Sequence, residues 1–236
     1  MDQDQITKLS FESFSKRAIS DIYNSQDPAK VINFKEVPLP VDSRPLNIET
    51  DAEHVAYLHN RGISTEDYPF YVVDNEVRNR IIIPYFHNGK IVGNTSRFYD
   101  NRQPKYLSEQ QKGYVFNLDN QRANWKTCIL VEGQFDAISI GGCAYMGSTI
   151  SDMQADLIRQ LQREIIVVPD RDAAGLSICD RALELGYKIS IPNWGDEIKD
   201  VNDAVCKYGK LPTLLSILQN ATSSKIVLEI KRKRFK

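Results

Sequence analysis

Three acidic segments in the second half of the chain carry residue types suited to metal chemistry. In ILVEGQFD (129–136), Glu132 follows an apolar run and Asp136 comes four residues later. In IIVVPDRDAAG (165–175), Asp170 and Asp172 follow a second apolar run, and in KDVND (199–203), Asp200 and Asp203 follow a third. Acidic residues just past the carboxyl ends of parallel strands meet at one edge of a sheet, where open α/β sheets bind ligands. Carboxylates gathered there repel one another unless a cation lies between them. Mg²⁺ or Mn²⁺ needs few carboxylates and keeps coordination positions for water and phosphate oxygens. The chemistry this suggests is metal-dependent phosphoryl transfer. Each residue also has a plainer reading: Glu132 as a helix-capping carboxylate, Asp170 as a turn residue, Asp200 and Asp203 as helix starts.

The elements that must position these residues can be read from the same region. From Lys126 onward, strand-like and helix-like segments alternate: CILVE then FDAISIG, CAYM then SDMQADLIRQLQ, EIIVVP then AAGLSICDRALELG, YKISIP then DVNDAVCKYG. This predicts a parallel sheet with flanking helices over 123–209. Gly133 and Gly175 suit the sharp strand-to-helix turns, and Asp136, one turn into its helix, faces back toward Glu132. Residues 50–122 read as a mixed, β-rich basic subdomain. RIIIPYFH and KIVGNTSRFY form a hairpin across Asn88-Gly89, a strong turn signal, and YVFNLD (114–119) is a third β-like run. Thr50 and Glu53 match a capping box for a short helix through His59, with His54 and His59 on its solvated side. Residues 1–49 read as a helix over 4–24 and a proline-containing connector. Residues 210–236 read as a helix, a last strand KIVLEI and a basic tail KRKRFK.

The 236 residues carry a net charge of −1, so nucleic-acid affinity has to be sought in local charge. No apolar run approaches a membrane span, and the polar start MDQDQITK is unlike a secretory signal. A cytoplasmic protein without membrane contact is expected. Cys128, Cys143, Cys179 and Cys206 lie far apart in sequence with no CxxC, which predicts buried reduced thiols and no zinc site.

VEGQFD and PDRD together resemble the Toprim domain shared by primases, topoisomerases and some nucleases. The preceding segment resembles the catalytic core of DnaG-type bacterial and phage primases, through RIIIP, SRF, PKY and a later Lys-Gly. The resemblance runs over about 54–208. It implies a Toprim parallel sheet preceded by a small β-rich subdomain, and RNA-primer synthesis on single-stranded DNA from nucleoside triphosphates. It implies Glu132, Asp170 and Asp172 as catalytic metal ligands, Asp200 and Asp203 as secondary ones, and Gly133 and Asp136 in support. It also implies that Arg80, Arg97, Lys105, Tyr106 and Lys112 hold template and nucleotide. Arg171, between two carboxylates, would neutralise them. KDVND looks more like the phage motif, which points to a bacteriophage protein in its host's cytoplasm.

Neither a zinc module nor a GxxxxGK[ST] loop is found in the sequence. A minimal core that works with a replicative helicase, and with a separate zinc-bearing template-recognition protein, is therefore expected. A Toprim nuclease and a non-catalytic replication or transcription subunit on the same fold are the other functions in view. The primase-like β region argues against the nuclease. The intact carboxylates argue against the non-catalytic subunit.

Overall fold

The computed structural model describes residues 32–73 and 79–233. The expected helix over 4–24 and the last three residues of the basic tail lie outside them. The chain from Phe34 onward forms one compact unit. Its elements are β1 (Ser43–Pro45), α1 (Ala52–Asn60), β2 (Tyr71–Val73), β3 (Arg80–His87), β4 (Lys90–Phe98), β5 (Tyr106–Glu109), β6 (Thr127–Val131), α2 (Gln134–Ile140), β7 (Cys143–Ala144), α3 (Asp152–Arg159), β8 (Glu164–Val167), α4 (Ala173–Glu184), β9 (Lys188–Ser190), α5 (Val201–Tyr208), α6 (Lys210–Asn220), β10 (Ala221–Thr222) and α7 (Lys225–Arg232).

The first sheet is an antiparallel meander in the order β1-β2-β3-β4-β5. Its centre is the hairpin β3–β4, turned by Asn88 (φ 52°) and Gly89 (φ 75°). Two successive left-handed residues match the right-handed twist of the flanking strands, which is why Asn-Gly serves here. Ile81, Ile82, Ile83 and Tyr85 are fully buried, so both faces of β3 are covered. Tyr85, Thr95 and Ser108 join their hydroxyls across β3, β4 and β5. Gln134 Nε2 donates to Tyr85 (2.9 Å) and Thr95 (3.1 Å), tying the start of α2 to this sheet.

The second sheet runs β10-β9-β8-β6-β7, parallel except for the edge strand β10. Its strands are apolar and β-branched, as strands covered on both faces require. From β6 the chain leaves through α2 to β7 on one side; from β8 it leaves through α4 to β9 on the other. The crevice above β6 and β8 is thus a topological switch point. Helix α3 begins with a full Ser151/Gln154 capping box, and α2 ends at Gly141 with φ 71°. Among the described residues, no helix is long and apolar enough to cross a membrane.

Several expectations are corrected. YVFNLD is not a strand of the first sheet: Phe116 makes one antiparallel bridge to Ala144, and the strand after the hairpin is β5. KIVLEI is helical. Ser224 caps it, Lys231 Nζ reaches Asn220 Oδ1 (2.8 Å) and Arg232 reaches Asp180 (2.8 Å), and only Leu228 among its residues is buried. Short apolar runs do not distinguish helix from strand by periodicity alone.

The Thr50/Glu53 box is not formed. Asp51 stands at the N-cap of α1 and is held by Arg44 (2.7 Å), and Glu53 accepts a hydrogen bond from the Tyr99 hydroxyl. His54 is buried edge-on against Tyr99, not solvated, whereas His59 is exposed. Cys206 is exposed, unlike the other three cysteines; the Cys128 thiol on β6 donates to Ile129 O (3.8 Å) and the Cys143 thiol on β7 to Asn117 O (3.7 Å).

Candidate active site

The acidic residues converge on the switch point. Glu132 follows β6, half-buried, with the Tyr145 side chain nearby. Burial and the charge of Asp172 push its pKa upward. Asp170, on the loop after β8, is pushed up to about 7, first by burial and then by Glu132, Asp200, Asp172 and Asp203. Asp172 is exposed and caps α4, its Oδ1 accepting from Gly175 N at 2.7 Å. A Cβ at Gly175 would stand 2.1 Å from the Asp170 carbonyl oxygen, so only glycine lets α4 start this close to the acidic loop.

Asp200 caps α5 in the same way, accepting from Asp203 N at 2.7 Å, and Asp203 Oδ2 accepts from Lys199 N at 3.1 Å. Asp136 is buried beneath the cluster. It accepts from Asn202 N at 2.8 Å, which links α2 to α5. Burial, then Asp200 and Asp170, raise its pKa well above the ordinary carboxylate value. A Cβ on Gly133 would lie 2.6 Å from Asp136 Oδ2; the turn after β6 leaves no room for a side chain.

Facing these acids is a cationic group. Arg97, on β4, is buried among the rings of Tyr57, Tyr106 (4.5 Å from the guanidinium) and Phe135 (5.2 Å), and its Nε has no hydrogen-bond partner. Its pKa is lowered to about 10 by burial, then by Arg61. Arg61 ends α1, donating to Tyr57 Oη (2.7 Å) and Asn202 Oδ1 (2.9 Å). Lys105 is exposed; Arg97 first, then burial and Arg61, depress its pKa. Arg61, Arg97 and Lys105 thus repel one another, while Asp200 feels Arg61 and Arg97 feels Asp200. A phosphate would relieve that repulsion and give the buried guanidinium an acceptor.

A family model described as Toprim-like matches residues 129–205. The chain is 30% identical over 170 residues to a DNA primase of Clostridium acetobutylicum, covering 64% of this chain and 28% of that protein. It is 32% identical over 164 residues to a DNA primase of Staphylococcus aureus, covering 61% and 27%. The chain therefore spans little more than a quarter of these relatives' length. It superposes on a DnaG primase catalytic domain bound to single-stranded DNA with a TM-score of 0.60, at 20% identity over 77% of this chain and 76% of that one. The chain has the fold of a DnaG-type primase catalytic core. The primase fragment of the bacteriophage T7 primase-helicase protein superposes with a TM-score of 0.53, at 16% identity over 78% and 81%.

Within this fold, the expected phosphate contacts stand in different surroundings. Arg80 is buried; it donates to Ser96 O (3.0 Å) and Pro104 O (2.7 Å) and lies 3.6 Å from the Phe98 ring. Its two terminal nitrogens are committed to the backbone while its Nε has no hydrogen-bond partner, which makes it a strut under the loop that carries Lys105. We expect Arg80→Ala to cost about 2–3 kcal/mol of stability by leaving these carbonyls unpaired, read by urea unfolding. Lys112 is exposed beside the tight approach of Gly113 to Met153. Arg171 Nη2 lies 3.9 Å from Asp196 Oδ1. Its Nη1 reaches the carbonyls of Trp194 (3.1 Å) and Gly195 (2.6 Å), bracing the loop before α5.

Sequence reasoning missed Arg61, Tyr145 and Asn202. Arg61 sat in view in HNRG, but its role depends on α1 packing against α2 and α5.

Proposed function

We propose that this chain is a DNA primase catalytic core that synthesises short RNA primers on single-stranded DNA. The observation that carries this is the convergence of Glu132, Asp170, Asp172 and Asp200 opposite Arg61, Arg97 and Lys105. Nucleotidyl transfer needs this pairing: negative charge develops on phosphate oxygens, and preformed cations on one side and metal ligands on the other stabilise it.

The acidic donor set is oxygen only, which suits Mg²⁺ or Mn²⁺. Among the described residues, no three His, Cys, Asp or Glu side chains are grouped closely enough to hold a metal ion as they stand, so the carboxylates would have to close around one. Such a site would leave coordination positions for water and phosphate. Glu132, Asp170 and Asp172 would hold the metal, with Asp200 and Asp203 in support. The bound ion would supply charge neutralisation at the attacking and leaving oxygens. Glu132 would hold the proton released by the attacking 3′-hydroxyl. Arg97, Arg61 and Lys105 would take phosphates, and exposed Tyr106 would offer a stacking face to a base.

A replicative helicase and a separate template-recognition protein would assist initiation, which must collect a template and two nucleotides before any primer exists. We therefore expect extension of a supplied primer to exceed initiation in the isolated chain, and added replication proteins to raise initiation more than extension.

The test is primer synthesis on single-stranded DNA with labelled ribonucleotides and Mg²⁺ or Mn²⁺, with DNA integrity followed in the same tubes. Labelled oligoribonucleotides are expected. Cleavage of the DNA without synthesis would establish a Toprim nuclease instead.

A further inference from the structure

The end of the Toprim sheet away from the carboxylates is also built for an anion. Lys126 immediately precedes β6, Arg163 precedes β8, and Lys188 opens β9. A cleft of about 560 Å³ lies along this edge, with Ile158, Ile165 and Tyr187 among its walls and Arg159, Arg163 and Lys188 at its rim. Arg163 Nη1 donates to the Arg122 carbonyl (3.0 Å), and the Arg122 guanidinium lies 5.7 Å from the Trp125 ring. Cleft and indole are therefore parts of one surface. Trp125 is 38% exposed, unusual for an indole with no assigned task.

Arg159 is paired with Asp156 (2.7 Å) and Lys188 with Glu164 (2.5 Å). Among the described residues, no carboxylate pairs with Arg122, Lys126 or Arg163.

We propose that this rear edge is a second contact surface for single-stranded nucleic acid, with Trp125 stacking on a base and Arg122, Lys126 and Arg163 taking backbone phosphates. The chemistry is that of single-strand grooves generally: a cationic track beside an aromatic face that accepts any base. The proposal rests on the reading of the chain as a template-binding core. The two surfaces lie at opposite ends of β6, roughly 20 Å apart at about 3.3 Å per residue. One strand long enough to reach both would be held by tethering, with no new contact at the front.

The test compares fluorescently labelled DNA of about 8 nucleotides, within one groove's site size, with DNA of about 40 nucleotides, on the full chain. Wild type should bind the longer strand more tightly than the added number of registers allows. Trp125→Ala and Arg122→Glu alter exposed side chains and should weaken short-strand binding, which the front groove still supports, far less than long-strand binding. Trp125→Ala should weaken long-strand binding about five- to tenfold with the salt slope intact. Arg122→Glu should lower that slope by about 0.7 or more.

Long-strand binding equal to wild type in both variants would overturn the proposal. So would displacement of the long strand by poly-glutamate that depends on Trp125, which would make this a site for an acidic protein segment. Failure of wild type to bind the short strand would count against the front groove, and the Trp125 dependence of long-strand binding would still decide the rear one.

Discussion

Replacing Asp170 with Asn is expected to abolish primer synthesis and, at neutral pH without divalent metal, to raise the melting temperature. The two effects share one cause. Asp170 is burdened by burial and by four neighbouring carboxylates, which push its pKa from an ordinary 3.8 to about 7. A carboxyl whose folded pKa exceeds its unfolded value binds its proton more tightly in the folded state. Stability is therefore highest below the unfolded pKa and falls as pH rises toward the folded one. Asp170 alone should cost the metal-free wild type at most about 4 kcal/mol of stability between about pH 4 and pH 7, for a three-unit shift.

The amide in Asp170→Asn would carry no charge, so the slope should become shallower in the variant, leaving the shares of Glu132, Asp136 and Asp200. Activity should fall by at least about a thousandfold, since a direct ligand to the reacting ion would be gone. Melting curves from pH 4 to 8 in EDTA, set beside primer yield, check both. A steeper pH dependence in the variant, or wild-type yield, would refute the assignment. Added Mg²⁺ should stabilise wild type more than Asp170→Asn, because an ion bound to the folded state alone adds its binding free energy.

What the sequence made legible follows from what local pattern encodes. The strands and helices after Lys126 were readable because apolar runs alternate with amphipathic ones. Glu132 and Asp170 stood out because each ends such a run. Their meeting at a switch point depends on the strand order β10-β9-β8-β6-β7, which no local pattern states.

The basic residues divide for a similar reason. Arg80 and Arg97 occupy comparable places in two strands of one hairpin, paired with Phe98 and Ile81 respectively. Both leave Nε unpaired, yet Arg80 donates through its terminal nitrogens to Ser96 O and Pro104 O, whereas Arg97 lies among the rings of Tyr57, Tyr106 and Phe135. Arg61 and Tyr145 enter through packing of α1 and β7 against α2, a contact between segments distant in sequence. KIVLEI failed as a strand because capping by Ser224 and the anchors of Lys231 and Arg232 outweigh a short β-like run.

Arg97 itself yields a prediction in which stability and binding move in opposite directions. A guanidinium 4% exposed, with an unpaired Nε and another arginine beside it, is a charge the empty protein carries at a cost. Arg97→Met keeps much of the apolar stem against Tyr57 and Phe135 while removing the charge. The isolated variant should be as stable as wild type or more so, by about 1 kcal/mol. Its affinity for nucleoside triphosphate or short single-stranded DNA should nevertheless fall by about 2–4 kcal/mol, because a desolvated charge that finds its phosphate is costly to lose. The salt slope should flatten by about 0.7, one phosphate contact on a single strand. Arg97→Lys should restore little, since an ammonium cannot reproduce the planar fork lying against three rings. Urea unfolding and salt-dependent binding on the same preparations decide it. Loss of stability with unchanged affinity would make Arg97 a strut like Arg80 and leave Arg61 and Lys105 as the phosphate contacts.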